Sequence, residues 1–111
     1  PAISLRVYLF FNANKFAEAE TDFKDALALN PNDTLAMMGM GFLLINVDEY
    51  RSAFTYFDNI LKVNPRSSRA FENRGICYFN LGLYKQATYD FEKAILYDPS
   101  LEEKLKPFMV R

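Results

Sequence analysis

Apolar residues along the chain recur with the spacing of amphipathic helices. Near its C-terminal end, Phe71, Gly75 and Tyr78 are separated by three or four residues, and Ala87 and Phe91 repeat that spacing after a polar break. Such spacing places each set on one face of a helix. The pattern therefore predicts two helices joined by a short turn.

This two-helix pattern repeats every 34 residues along the chain. A period of this length is typical of helical repeat arrays, in which each unit buries its apolar face against its neighbours. We therefore predict an all-α chain of six repeat helices without strands, forming one domain over residues 1–111. The repeats are expected at 1–33, 34–67 and 68–101. The columns with one residue type are Ala19, Ala53 and Ala87; Phe23, Phe57 and Phe91; Pro31, Pro65 and Pro99; and Asn12, Asn46 and Asn80.

The residues between the helices predict where each helix ends. Gly82 suits a left-handed cap after the first helix of repeat three. Asn14 and Asp48 stand in the same column, and either could accept a hydrogen bond at the start of the following helix. Proline disfavours a helical conformation at the residue before it, so each second helix should end just before the repeated proline.

A partial C-terminal helix is predicted within residues 102–111. Ser100 and Glu103 have the spacing of a capping box, and Pro107 should bend or stop the helix that follows. The apolar residues of this segment are expected to be exposed, which favours a fragment of a longer array or self-association. These residues are Leu105, Phe108 and Met109.

The period, the helix-turn-helix unit and one run of residues resemble the tetratricopeptide repeat family. That run is Phe71, Gly75, Tyr78, Gly82, Tyr84, Ala87, Phe91, Ala94 and Pro99. The resemblance implies a right-handed α-α superhelix in which the first helix of each repeat lines a concave groove that binds peptides or proteins. Val7 departs from the pattern, because it stands where Gly41 and Gly75 let two helices approach closely.

Carried over by register, the resemblance also implies which residues face the groove. The helix over residues 35–45 contains no charged residue, so its outward side needs a cover, and exposed apolar patches commonly mark binding surfaces. Two alternatives stay open: Phe11 packs on neighbouring helices instead, and the asparagines cap helix ends rather than bind a ligand. The candidate groove residues are Tyr8, Phe11, Asn12, Leu35, Met38, Phe42, Asn46, Arg69, Asn73, Ile76 and Asn80.

Composition disfavours most other functions. The chain has no histidine and a single cysteine, Cys77, so neither a zinc site nor an internal disulfide is expected, and no cofactor, metal or enzymatic activity is predicted. A net charge of −1 disfavours nucleic acid. The longest apolar stretch is shorter than the roughly 18 residues of a membrane span, and no signal peptide is evident. A cytoplasmic protein is expected, and the start at Pro1 suggests excision from a longer one.

The leading hypothesis is a protein-interaction module, within a scaffold or adaptor, whose groove takes a protein or peptide with apolar anchors. The alternative is a structural or self-associating segment of a longer solenoid, including a homo-oligomer. The co-chaperone subclass that clamps acidic chaperone tails is disfavoured, because its lysine and asparagine positions hold one cation here. The residues at those positions are Ser4, Tyr8, Gly39, Arg69 and Asn73.

Overall fold

The computed structural model describes the backbone of residues 5–110 and the side chains of residues 15–110. Over these residues the protein is a helical solenoid without a strand, as predicted, and successive helices pack against each other. Two short 3-10 turns, Pro99–Leu101 and Lys106–Phe108, flank the last helix. The helices are α1 (Leu5–Leu29), α2 (Thr34–Asn46), α3 (Tyr50–Val63), α4 (Ser68–Asn80), α5 (Tyr84–Tyr97) and α6 (Glu102–Leu105).

The helix boundaries of repeats two and three follow local signals. The side chain of Asp33 accepts a hydrogen bond from the Ala36 amide at the start of α2, and Ser67 accepts one from the Ala70 amide at the start of α4. The helices α3 and α5 end two residues before their prolines, with the intervening residue extended. The predicted proline-terminated ends are therefore confirmed.

The turns inside repeats two and three share a left-handed residue. Asp48 has φ +61° and Gly82 has φ +80°, so both adopt the conformation expected of a cap. Asp48 does not accept a backbone hydrogen bond, however, because its carboxylate accepts one from the Tyr50 hydroxyl at 2.8 Å. Neither α3 nor α5 has a side-chain cap at its start, so the predicted role of Asp48 as a cap is wrong.

The first repeat differs from the other two, because its two predicted helices are one continuous helix, α1, of 25 residues. The chain remains helical through Asn14, which stands in the column of Asp48 and Gly82. Its neighbours Ala13 and Lys15 favour helix, and an asparagine can follow either conformation. The prediction of a turn at Asn14, and with it the count of six repeat helices, is therefore wrong.

Close pairing of two helices forms the core of repeats two and three. A Cβ on Gly41 would overlap the ring of Phe57, and one on Gly75 would lie 2.6 Å from the ring of Phe91. Both rings are fully buried, as their column predicted. Each glycine thus lets a phenylalanine of the second helix lie directly on the backbone of the first.

A buried ion pair links α4 to α5. Arg74 donates two hydrogen bonds to the carboxylate of Asp90, at 2.8 Å and 2.9 Å, and a third at 3.2 Å to Asp58 of α3. Asp90 is 0% exposed. Burial raises the pKa of Asp90 above its ordinary value, while the bonds from Arg74 act in the opposite direction.

The C-terminal segment, residues 99–110, folds back on repeat three. The backbone amide and hydroxyl of Ser100 both donate to Asp98, so Ser100 does not form the predicted capping box with Glu103. Leu105 is buried among α4 and α5 residues, so the expectation that it is exposed is wrong. The helix α6 ends at Leu105, just before the turn that contains Pro107, as predicted.

Candidate functional site

The first helices of repeats two and three, α2 and α4, share a surface that contains a cleft. The Asn73 amide of α4 lies 3.8 Å from the Met38 sulfur of α2, which joins the two helices. The cleft, of about 350 Å³, lies near the N-terminal ends of both helices. We call it the first cleft, and its lining residues are Thr34, Leu35, Met38, Ile60, Asn64, Ser67, Ser68 and Arg69.

The α2 side of this surface is apolar and partly uncovered. Leu35 is 82% exposed and Phe42 is 41% exposed, while Met38 between them is half-buried. The exposed ring of Phe42 also meets the buried ring of Phe57 edge-on, with centroids 6.4 Å apart. Since α2 carries no charged residue, no ion on this helix accompanies the apolar patch.

The predicted polar residues on α4 are not equally available to a ligand. Arg69 is exposed at the first cleft, whereas Asn73 is buried and donates to the Arg69 carbonyl at 2.8 Å. Asn80 is exposed, but its amide donates to the Ile76 carbonyl at 2.8 Å, as expected of a residue at a helix end. Asn46 is exposed at the end of α2. Arg69 is therefore the most accessible of the polar candidates on α4.

A second cleft, of about 340 Å³, separates the C-terminal half of α4 from the C-terminal segment. The rings of Phe79 and Phe108 meet edge-on across it, with centroids 5.4 Å apart. Lys104 also lines this cleft, but its ammonium lies 2.6 Å from the carboxylate of Glu72 and is neutralised there. The predicted residues Ile76 and Asn80 line this second cleft rather than the first.

The C-terminal contribution to the second cleft was missed from sequence, although a signal for it exists. Leu105 stands 34 residues after Phe71, which itself stands 34 residues after Met37. All three side chains are buried. Extending the repeat column past residue 101 would have placed the segment on α4. The candidates Tyr8, Phe11 and Asn12 belong to α1, and their side chains lie outside the described residues.

Family models confirm what the repeat and the fold indicate. One tetratricopeptide repeat model matches residues 68–101 and another matches residues 5–45, together about two-thirds of the chain. The chain belongs to the tetratricopeptide repeat family. Membership of this family supports a role in protein–protein interaction and favours such a role over catalysis.

Solved structures of other tetratricopeptide repeat proteins share this fold. A structure titled "MamA RS-1 ArsTM double mutant" matches 87% of the chain with a TM-score of 0.75 and 23% identity, and the chain spans 55% of that protein. The first repeat domain of Spaghetti (RPAP3), bound to the HSP90 peptide SRMEEVD, matches 91% with a TM-score of 0.78 and 16% identity, over 82% of its own length. A comparison with curated protein sequences finds no match.

The chemistry of this repeat domain fits recognition rather than reaction. Burial raises the pKa of the Cys77 thiol to about 12, so the thiol stays protonated at neutral pH and is a poor nucleophile. Among the described residues, no group of three cysteine or carboxylate side chains could hold a metal ion. No helix in the described part of the chain is long and apolar enough to cross a membrane.

Proposed function

We propose that this repeat domain binds a peptide or protein segment along the surface shared by α2 and α4, with apolar side chains of the ligand as its anchors. The observation that carries the proposal is the uncovered patch on α2, where Leu35 is almost fully exposed beside the half-buried Met38. Burying such side chains stabilises a complex by removing apolar area from water.

The two clefts supply different contacts to such a ligand. The first offers Leu35 and Met38 as an apolar floor and Arg69 as a cation for a ligand carbonyl or carboxylate. The second offers the rings of Phe79 and Phe108, which suit an aromatic or aliphatic side chain. A ligand that reaches both clefts would cross Phe42 and Ile76 on the way.

The same charges disfavour an acidic peptide of the kind bound by the Spaghetti domain. A clamp on carboxylates needs several cationic donors that are free to bind them. Of the two cations that line the clefts, Arg69 is exposed and Lys104 already pairs with Glu72. We therefore expect the peptide SRMEEVD to bind weakly or not at all.

The test is a selection of peptides from a random displayed library, followed by titration of one selected peptide against two matched leucine variants. Leu35→Ala should weaken binding about tenfold, as loss of an interface anchor does. Leu96→Ala is the control, because Leu96 is 63% exposed on α5 and lines neither cleft. Both leucines are exposed, so neither change should lower the melting temperature by more than a few degrees.

Two results would contradict the proposal. One is equal affinity of the Leu35→Ala and Leu96→Ala variants, since the peptide would then bind elsewhere. The other is tight binding of SRMEEVD in parallel titrations, because the ligand class would then be acidic rather than apolar.

A further inference from the structure

The second half of α1 presents a face that the other repeats bury. Repeats two and three cover the equivalent faces of α3 and α5 with their own first helices, α2 and α4. In repeat one, the residues in the same columns are all partly exposed, whereas their counterparts are buried. The exposed set is Ala19, Phe23 and Ala26; the buried counterparts are Ala53, Phe57 and Ile60 in repeat two, and Ala87, Phe91 and Ala94 in repeat three.

The straight course of α1 explains why this face is open. Residues 5–14 carry the register of the first helix of a repeat, but they continue along the axis of α1 instead of folding back. Over the twelve residues from Val7 to Ala19, a helix rises about 18 Å. The segment therefore cannot cover Ala19 and Phe23 of its own chain.

A neighbouring helix compensates for only part of the missing cover. The ring of Phe23 lies against Gly39 of α2, where a Cβ would overlap it. Phe57 and Phe91 instead lie against the glycine of their own repeat and are fully buried. Phe23 thus has its contact with the next repeat and lacks the one within its own.

We infer that residues 5–14 of a second copy of this chain cover the open face, so that two chains exchange the first helix of repeat one. The segment has the register of the helices that cover this face elsewhere, with Val7 in the column of Gly41 and Gly75. It is also largely apolar, with Arg6 as its one charged residue. Exchange of an identical element between copies is a low-cost route to a two-fold dimer.

The pair Val7 and Ala19 tests this exchange directly. Their counterparts in repeat three are close, because a Cβ on Gly75 would lie 3.3 Å from the Ala87 carbonyl oxygen. Cysteines can be bridged only when their Cα atoms are within about 7 Å. A V7C/A19C variant on one straight helix therefore cannot close a disulfide within the chain, whereas two exchanged chains can form two disulfides between them.

The experiment is mild oxidation of V7C/A19C, followed by non-reducing electrophoresis and light scattering. The expected result is a covalent dimer of twice the 12.9 kDa chain mass, which also forms when separate V7C and A19C chains are mixed. Neither single variant alone, nor the wild-type chain with its buried Cys77, should give that dimer. A disulfide within a monomer, or no disulfide at all, would overturn the proposal.

Two substitutions at Asn14 separate exchange from association through another surface. Asn14→Gly weakens the continuous helix and favours the left-handed turn seen at Gly82, so the dimer fraction by light scattering should fall severalfold. Asn14→Ala favours the continuous helix and should leave the dimer fraction equal or higher. Equal dimer fractions in both variants would overturn the proposal, because a dimer formed through the clefts would not depend on this turn.

Discussion

Repeats one and three follow the same 34-residue pattern, but only repeat three folds as a closed pair of helices. In repeat three, Gly82 turns the chain and Phe91 is buried on Gly75. In repeat one, the chain runs straight through Asn14 and Phe23 stays partly exposed. The apolar pattern thus determines which faces need cover, while the conformation of one turn residue determines whether the same chain supplies it.

Repeats two and three differ from each other in how they fill one buried column. Arg74 of α4 pairs there with Asp90, whereas repeat two has Met40 and Tyr56 in the same two columns. Met40 is as well buried as the ion pair. One backbone arrangement therefore accepts either an ionic or an apolar solution, provided that every buried charge has its partner.

The largest expected effect separates the closed repeats from the open one. Phe57→Ala should lower the free energy of unfolding by about 3–5 kcal/mol, because it leaves a cavity under Gly41. Phe23→Ala should lower it by only about 1–2 kcal/mol in dilute solution, because its ring is already partly in water. Urea denaturation at low and high protein concentration measures both.

The concentration dependence sharpens this comparison. If a second copy covers Phe23, the cost of Phe23→Ala should grow as the protein concentration rises, while the cost of Phe57→Ala stays constant. Equal costs for the two variants in dilute solution would mean that repeat one closes within a single chain.

A somewhat smaller effect tests the ionic column of repeat three. Arg74→Met leaves the carboxylate of Asp90 buried without its partner and should cost about 3 kcal/mol at neutral pH. The double variant R74M/D90Y copies the residues of repeat two and should recover most of that loss. Urea denaturation of both variants beside the wild type gives the two differences.

The pH dependence of the Arg74→Met variant follows from the pKa of Asp90. Burial already raises this pKa, and removal of the cation raises it further, so the folded variant takes up a proton more readily than the unfolded chain. Its stability relative to the wild type should therefore recover as the pH falls through that raised pKa. An unchanged deficit at acidic pH would show that lost packing, not the unpaired charge, causes it.

Much of the fold could be predicted from sequence because the repeat columns report local physics. The proline-terminated helices and the burial of Phe57 and Phe91 depend on contacts within one repeat. The straight α1 could not be predicted, because Asn14 suits a turn and a helix almost equally. Its outcome depends on weak differences in conformational energy that no column records.

The candidate site was harder to predict because its polar residues depend on contacts between repeats. The exposed Leu35 followed from the lack of charge on α2. The burial of Asn73 did not, since it depends on Met38 of the preceding repeat. Likewise, the pairing of Glu72 with Lys104 depends on how the C-terminal segment folds back. A register gives the face on which a residue lies, but it does not give the partner that occupies it.

The smallest expected effect concerns the turn column itself. Gly82→Ala should cost about 1 kcal/mol, because a Cβ disfavours the left-handed conformation. Packing should not contribute, since no atom lies within 4 Å of that Cβ. Asp48→Gly relieves the same penalty but loses the bond from the Tyr50 hydroxyl, so its net effect should be near zero. In a Tyr50→Phe background that bond is absent, and Asp48→Gly should then stabilise the protein by about 1 kcal/mol. Thermal melts of the four variants measure these differences, and a neutral Gly82→Ala would mean that the turn relaxes to another conformation, as the chain does at Asn14.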